Sequence, residues 1–109
     1  LTKSLKNNKP LKNVQINTIA DSLSSPLHME YSFDIAKHVI DEMVTVSDNE
    51  IKKSMKFMFE YYKLILEPAC VATIAALLGP LKNKLTNQKT VILLCGSNID
   101  AKTWMKLVN

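Results

Sequence analysis

A thiol, a hydroxyl and an amide stand close together in the tetrapeptide Cys95–Asn98. The apolar run Thr90–Leu94 directly precedes it. This run predicts a buried β-strand, because short unbroken stretches of β-branched and other apolar residues favour that structure. In parallel α/β sheets, ligands bind beyond the carboxyl ends of the strands. The tetrapeptide is therefore a candidate ligand-binding site, although its residue types alone do not identify the ligand.

The clearest helix start in the chain is a capping box at Ser47–Glu50. In such a box the serine hydroxyl accepts a hydrogen bond from the Glu50 amide, and the Glu50 carboxylate accepts one from the Ser47 amide. The residues that follow have the spacing of an amphipathic helix. Its apolar face is predicted to form core or interface and consists of Ile51, Met55, Met58, Phe59, Tyr62 and Ile65.

A second helix is predicted to begin near Glu67-Pro68, because proline is tolerated in the first helical turn. It is predicted to end at Gly79-Pro80. The residues between are apolar on nearly every side and mostly small. We therefore expect this helix to pack deeply, against a sheet, with Cys70 in the core.

Weaker patterns complete the predicted secondary structure. Short helices are expected at Leu1–Asn8, Phe33–Ile40 and Ala101–Val108, the last one carrying Trp104. The segments expected to be mainly loop are 11–29 and 81–89, and a second short strand is expected at 41–46.

The order of these elements predicts an α/β fold with parallel strands joined by a right-handed crossover. Only two strands are convincing, and a two-stranded parallel sheet does not cover its own faces. We therefore expect residues 1–109 to form a single incomplete domain. Such a domain needs either a partner segment or a self-associating copy, which makes a homo-oligomer one expected state.

The composition narrows the class of partner. The net charge is +4, and every basic residue is a lysine. The absence of arginine weakens any interpretation that needs bidentate recognition of phosphate, carboxylate or guanine, so we expect no nucleic-acid partner. No run approaches the about 18 apolar residues of a membrane span, and no signal peptide is visible, so we expect no membrane and a cytoplasmic location. Two cysteines and two isolated histidines predict neither a disulfide framework nor a metal site.

Four sequence blocks occur in order and at fitting spacings. They are TIADS at 18–22, VIDEMVTVSDNEI at 39–51, KLILEPACVATIAALL at 63–78 and LLCGSNID at 93–100. Together they resemble the C-terminal third of the threonine dehydratase and serine racemase family, fold-type II enzymes that use pyridoxal 5′-phosphate. The resemblance implies a partial three-layer sandwich of the tryptophan-synthase-β-like kind, with few parallel strands flanked by helices. The chain would correspond to the C-terminal part of the large pyridoxal-phosphate domain.

The resemblance also implies cofactor-binding residues. The family position at Cys95 is a serine or cysteine that hydrogen-bonds the pyridine nitrogen of the cofactor. Glu67 lies by the cofactor in relatives, and Gly96 belongs to the matching loop. Ser22 takes the place of a family glycine packed near the cofactor.

Two further residues match positions that contact a regulatory nucleotide at the dimer interface in some relatives. These are Lys63 and Asn98. From the residues alone, simpler roles stay open: Lys63 as a solvated lysine and Asn98 as a turn residue. Glu67 could equally favour a helix N-terminus through the dipole, and Cys95 could be a small buried apolar side chain.

Several family features have no counterpart in this chain. The Schiff-base lysine is one, and the glycine-rich loop that cradles the cofactor phosphate is another, since the only glycines are Gly79 and Gly96. Ser22 and Ser97 replace family glycines, and Val71 adds bulk. We therefore assign no catalytic residue and expect this chain alone to bind no pyridoxal phosphate.

Two functional hypotheses follow. In the first, the chain is the C-terminal part of a pyridoxal-phosphate-dependent threonine or serine dehydratase and needs an N-terminal fragment that carries the lysine. In the second, it is a truncated or degenerate remnant without catalytic activity, which persists as a self-associating structural module through Met55, Phe59 and their neighbours.

Overall fold

A computed structural model describes residues 1–25 and 27–109 of the chain. The described residues form five α-helices and one short 3₁₀ helix at Asp21–Leu23. The α-helices are α1 (Thr2–Lys6), α2 (Glu30–Val39), α3 (Asp48–Tyr62), α4 (Pro68–Leu78) and α5 (Ala101–Val108).

The predicted capping box begins α3. The Ser47 hydroxyl accepts from the Glu50 amide at 3.3 Å, and the Ser47 amide donates to the Glu50 carboxylate at 2.7 Å. Both bonds satisfy amides that no preceding helical turn can reach. The helix then buries Ile51, Met55 and Met58, so the predicted apolar face is confirmed over its first three turns.

The second predicted helix is confirmed as α4, with Pro68 in its first turn. It packs against α3, and together they build the centre of the core. The best-covered side chains there are Met55, Val71 and Cys70, at 0%, 0% and 1% exposure. The core position expected for Cys70 is therefore confirmed. Three members of the predicted α3 face, Phe59, Tyr62 and Ile65, instead keep substantial exposed surface, and Ile65 lies beyond the end of α3.

The C-terminal helix α5 closes one end of this core. Its N-cap is Asp100, whose carboxylate accepts from the Thr103 amide at 2.9 Å. Hydrogen bonds from Thr103 lower the pKa of Asp100 below its ordinary value. Trp104 is buried and lies against Phe59 of α3, with 5.0 Å between ring centroids. This confirms the predicted helix, and the structure places its tryptophan in the core.

The helices α1 and α2 contact each other at the edge of the molecule. Phe33 and Ala36 of α2 are buried there. Ser4 of α1 is also buried, and its hydroxyl lies 2.7 Å from Nδ1 of His28 while accepting from the Leu11 amide. This cluster ties the long loop between the two helices to α1.

The two predicted strands are wrong for this structure. Within residues 1–25 and 27–109, neither Asp41–Val46 nor Thr90–Leu94 forms a β-strand. A strand exists only where another extended segment supplies its hydrogen bonds, and these two segments do not pair with each other or with any described residue. The sheet expected behind α4 is accordingly absent from the described chain, and α4 packs against a helix.

No described helix combines the length and the apolar character needed to cross a membrane.

The capping box predicts that the stability of the fold depends on pH through Glu50. Hydrogen bonds from Ser47 lower the pKa of Glu50 below its ordinary value of 4.5. The ionised carboxylate therefore stabilises the fold above that value, and the contribution is lost as the pH falls through the lowered pKa. We expect Glu50→Gln to lower the urea midpoint at pH 7 and to have a shrinking effect below about pH 4.5.

Glu60→Gln is the matched control, since Glu60 lies on the exposed side of α3 outside the box. An equal pH profile for the two variants would contradict the assignment.

Candidate functional site

A polar pocket of about 460 Å³ lies where the 3₁₀ helix, the start of α4, the loop 96–100 and α5 meet. It brings together three of the residues that the sequence singled out, Ser22, Glu67 and Asn98. Ile19, Pro68, Ile99 and Leu107 add apolar surface to its wall. The pocket thus combines polar groups from segments far apart in the sequence.

Glu67 fastens the candidate loop to the start of α4. Its backbone amide donates to the Gly96 carbonyl at 3.3 Å, and its carboxylate accepts from the Asn98 amide at 3.2 Å. Glu67 is the N-cap residue of α4, yet its side chain makes no capping bond to that helix. The carboxylate therefore bonds the loop and not the helix. A favourable interaction with the helix dipole alone does not account for this contact.

Gly96 is needed for space and not for its backbone angles. Its φ is not in the left-handed region. A Cβ built on Gly96 would lie 2.5 Å from Oε1 and 2.7 Å from Cδ of Glu67. Any larger residue would push the carboxylate away from the Asn98 amide. Glycine here is thus a condition for the close approach of Glu67 to the loop.

Ser22 and Ser97, where the resemblance implies glycines, are accommodated without backbone strain. Neither Ser22 nor Ser97 is among the non-glycine residues with positive φ in the described chain. The Ser22 amide donates to the Asp21 carboxylate at 2.8 Å, within the 3₁₀ helix. The Ser22 side chain lines the pocket and adds a hydroxyl to it.

A residue that the sequence analysis missed positions this 3₁₀ helix. Asp48, at the start of α3, accepts from the Thr18 hydroxyl at 2.5 Å and from the Ile19 amide at 3.2 Å. The Thr18 oxygen in turn accepts from the Ala20 amide. Asp48 thereby connects the segment before Ser22 to α3. Thr18 belongs to the TIADS block that the sequence analysis singled out. Its partner Asp48 lies 30 residues away, so no local pattern connects the two residues.

Three other predicted site residues, Cys95, Gly96 and Lys63, lie outside the lining of the polar pocket. The Cys95 thiol is exposed, at the start of the loop that Glu67 holds. Lys63 ends α3 in the left-handed conformation, with φ 58°, and its ammonium donates to the Glu60 carbonyl at 2.7 Å. The predicted effector pair of Lys63 and Asn98 is therefore not gathered in one described pocket. The simpler role of an exposed lysine describes this conformation of Lys63.

The acidic residues around the pocket determine which charge a ligand group can carry there. Three carboxylates line it, those of Asp21, Glu67 and Asp100, and no lysine is present among its lining residues in the described chain. Such a wall disfavours a phosphate. The N-termini of α4 and α5 offset part of this charge, since helix N-termini carry partial positive charge. Hydrogen-bond donors, neutral or positively charged, are the groups that this wall suits best.

Comparison with known proteins gives the chain a family context. A family model described as pyridoxal-phosphate dependent enzyme matches residues 1–96. The chain is 38% identical over 104 residues to phenylserine dehydratase of Ralstonia pickettii, which covers 95% of this chain and 32% of that enzyme. It is 36% identical over 94 residues to serine racemase of Dictyostelium discoideum, covering 85% of this chain and 29% of the relative.

Solved structures agree with this context. The processed form of threonine deaminase isoform 2 from Solanum lycopersicum has a TM-score of 0.85 at 28% identity, covering 95% of this chain and 29% of that one. Serine racemase from Dictyostelium discoideum has a TM-score of 0.76 at 35% identity, over 90% of this chain and 31% of that one. The chain thus spans about a third of the length of the relatives it matches.

The Glu67 bonds predict a coupling that can be measured. We expect Gly96→Ala to destabilise the chain, because the new Cβ displaces the carboxylate. We expect the same change to cost less in a Glu67→Ala background, where no carboxylate is in the way. The coupling energy from a double-mutant cycle in urea should reach at least about 0.5 kcal/mol. Strictly additive effects would contradict the contact.

The two cysteines predict a labelling order. Cys95 is exposed, whereas Cys70 is buried inside α4, and exposure controls thiol reactivity. We expect a mild thiol reagent to label Cys95 first under native conditions, as mass spectrometry of peptides would show. Cys95→Ser should leave stability within about 0.5 kcal/mol, as for other surface changes. Faster labelling of Cys70 would contradict the placement of α4 in the core.

Proposed function

The chain belongs to the family of pyridoxal-phosphate dependent enzymes, and we propose that it forms the carboxyl-terminal part of a dehydratase acting on a hydroxy amino acid. Such an enzyme removes water from the substrate to give an enamine, which becomes an imine; water then hydrolyses the imine and releases ammonia, which leaves a 2-oxo acid. The observation that carries the proposal is the loop Cys95–Asn98, held by Glu67 beside the polar pocket. It is the loop that the family resemblance assigns to the cofactor.

The names of the relatives support the substrate class. They include phenylserine dehydratase, L-threo-3-hydroxyaspartate ammonia-lyase and L-threonine dehydratase. The substrates in these names share a hydroxyl on the β-carbon of an amino acid, and serine, named in the racemase, shares it too. We therefore propose a β-hydroxy amino acid, of which threonine and serine are the simplest, as the substrate.

The described residues suit one side of pyridoxal phosphate. The pocket volume of about 460 Å³ lies in the range of small-molecule sites. The Ser22 hydroxyl and the side-chain amide of Asn98 offer neutral polar groups to a ring and its substituents. The three carboxylates do not suit the phosphate end, and the pocket lining in the described part of the chain provides no amine for a covalent bond to the cofactor. This chain would supply one wall, while the phosphate site and the lysine come from elsewhere.

The cofactor, when bound, supplies an electron sink for the carbanion at the substrate α-carbon. The chain's own residues have a positioning role. Glu67 holds the backbone of Gly96 and Asn98, and this fixes the direction in which the chain leaves Cys95. The family resemblance implies that the Cys95 thiol, which is exposed outside the pocket lining, would donate to the pyridine nitrogen as a neutral partner.

The second hypothesis, a non-catalytic structural module, has one observation in its favour. The polar pocket lacks both an amine and a phosphate-binding wall within residues 1–25 and 27–109. Both hypotheses expect the isolated chain to be inactive, so activity of the chain alone does not separate them. They differ in what happens when the rest of the family fold is supplied.

A chimera distinguishes the dehydratase hypothesis from the structural-module hypothesis. In it, this chain replaces the matching third of the Ralstonia pickettii phenylserine dehydratase. We expect the isolated chain to release no 2-oxo acid from phenylserine, threonine or serine and to show no visible absorbance from lysine-bound pyridoxal phosphate. We expect the chimera to show both.

Glu67→Gln in the chimera should lower kcat/KM by at least about tenfold, since a tenfold change needs only about 1.4 kcal/mol. Glu60→Gln, exposed on α3, is the matched control and should leave it unchanged. A folded chimera that binds the cofactor but releases no 2-oxo acid would favour the structural module. Activity in the isolated chain would sink both hypotheses as stated.

A further inference from the structure

The imidazole of His28 has a bonding partner at each ring nitrogen. Nε2 lies 2.8 Å from the backbone nitrogen of Leu1, and Nδ1 lies 2.7 Å from the Ser4 hydroxyl oxygen. As an ammonium, or as a peptide N–H in a longer chain, the Leu1 nitrogen can only donate. Nε2 must therefore accept, and the ring proton belongs on Nδ1, which donates it to Ser4. Both bonds together are made only by the neutral imidazole.

The Ser4 hydroxyl that receives this bond is completely buried. Ser4 is 0% exposed, and its oxygen also accepts from the Leu11 amide at 3.1 Å. The Leu11 carbonyl accepts in turn from the His28 amide at 3.3 Å. His28 is therefore held by its side chain and its backbone together. These bonds join α1 to both ends of the loop that connects α1 to α2.

Protonation of His28 would disrupt this arrangement. A hydrogen on Nε2 would face a second donor only 2.8 Å away. The Leu1 amino group on the side of α1 is the charged group that faces the ring, and it is positive. On the side of α2, Glu30 lies in the first turn and is exposed.

No ion pair within residues 1–25 and 27–109 compensates for a charge on His28, since the two that occur there, Lys56–Glu60 and Lys84–Glu42, lie elsewhere. The pKa of His28 is accordingly lowered from its ordinary value of 6.5. Partial burial of the ring is the larger cause, and the charge of the Leu1 amino group is the smaller one.

His28 stands at the end of a segment that reaches the polar pocket. This segment contains the 3₁₀ helix Asp21–Leu23, whose Ser22 lines the pocket. Asp48 holds the start of the segment on α3, and His28 holds its end on α1. A helix of three residues has little rigidity of its own. Its position therefore depends on these two anchors and on its contact with α4.

We infer that His28 is a positioning residue for the Ser22 wall of the polar pocket and that it holds this wall only while its imidazole is neutral. The inference names a regulation of the proposed site, and its effect on turnover rests on the proposed function. Because the pKa of the folded chain is lowered, the anchor is complete above pH 6.5 and is lost as the pH falls through the lowered pKa. The Glu67 side of the pocket does not depend on His28 and should keep its bonds.

Amide hydrogen exchange tests the anchor in the isolated chain, without cofactor or turnover. The reporters are the Leu23 and Ser24 amides, which donate to the Ala20 and Asp21 carbonyls at 3.1 and 2.8 Å. Their protection factors, which correct for the intrinsic effect of pH on exchange, should fall by at least about threefold between about pH 7.5 and about pH 5.5. Amides of α3 around Met55 report global stability and should change less.

His28→Asn separates the bond from the charge. The asparagine amide nitrogen can take the place of Nδ1 and donate to Ser4, but it does not titrate. We expect this variant to remove the pH dependence of the two reporters, whereas His28→Ala should lower their protection at both pH values. His38→Asn is the matched control, because His38 is exposed on α2 and bonds the Asp34 carbonyl of its own helix at 2.7 Å. This control should keep the pH dependence of the unaltered chain.

Three results would overturn the inference. One is reporter protection that does not change with pH in the unaltered chain, and another is an equal change in His28→Asn. The third is an equal loss of protection at the Met55 amides, since this would show global unfolding and not release of the pocket wall. The first and third need no variant, so they decide the question even if a His28 variant fails to fold.

The chimera described above connects the anchor to turnover. Lowering the pH to about 5.5 should reduce kcat/KM at least about threefold more with His28 than with His28→Asn. An inactive chimera with pH-dependent reporters would remove the proposed function and leave the anchor standing. An active chimera whose pH profile and reporters are the same with and without His28 would do the reverse.

Discussion

The packing of α4 against α3 is the contact on which the rest of the structure depends. Met55 of α3 meets Val71 and Cys70 of α4 in the most completely buried part of the chain. Because α4 is fixed there, its N-cap residue Glu67 has a defined position from which it holds the loop 96–98. The start of α3 supplies the other support, since Asp48 binds the segment before Ser22. The two segments that carry Asn98 and Ser22 are thus held in place by α4 and α3.

Local signals in the sequence were enough to predict the helices. The Ser47–Glu50 box, the proline at the start of α4 and the spacing in Ala101–Val108 each act within one or two turns, where helical hydrogen bonds also lie. Strands differ, because their hydrogen bonds come from distant segments. Thr90–Leu94 has the composition of a strand and no partner in the described residues. The predicted strand was wrong, because strand pairing depends on groups that the segment itself does not contain.

The members of the candidate site could be predicted in part, whereas their contacts could not. The resemblance singled out Ser22, Glu67 and Asn98, and the structure gathers them in one pocket. The resemblance could not indicate that Glu67 would hydrogen-bond the backbone of the loop. It also could not indicate that the Glu67 carboxylate would occupy the space where a Cβ at position 96 would lie. The role of Asp48 was hidden for a different reason. An aspartate in the first turn of a helix is already explained by the helix dipole, so nothing in its local sequence points to Thr18.

The helix α4 connects the polar pocket to the core. Glu67 stands at its N-terminus, while seven of its residues are buried, Val71 and Cys70 most completely. The helix contacts α3 and the 3₁₀ helix that carries Ser22. Because Glu67 bonds the backbone of Gly96 and Asn98, a shift of α4 in the core would move the loop as well. The precision of the pocket is therefore set by core side chains that do not line it, and a substitution at Val71 would disturb the site through packing alone.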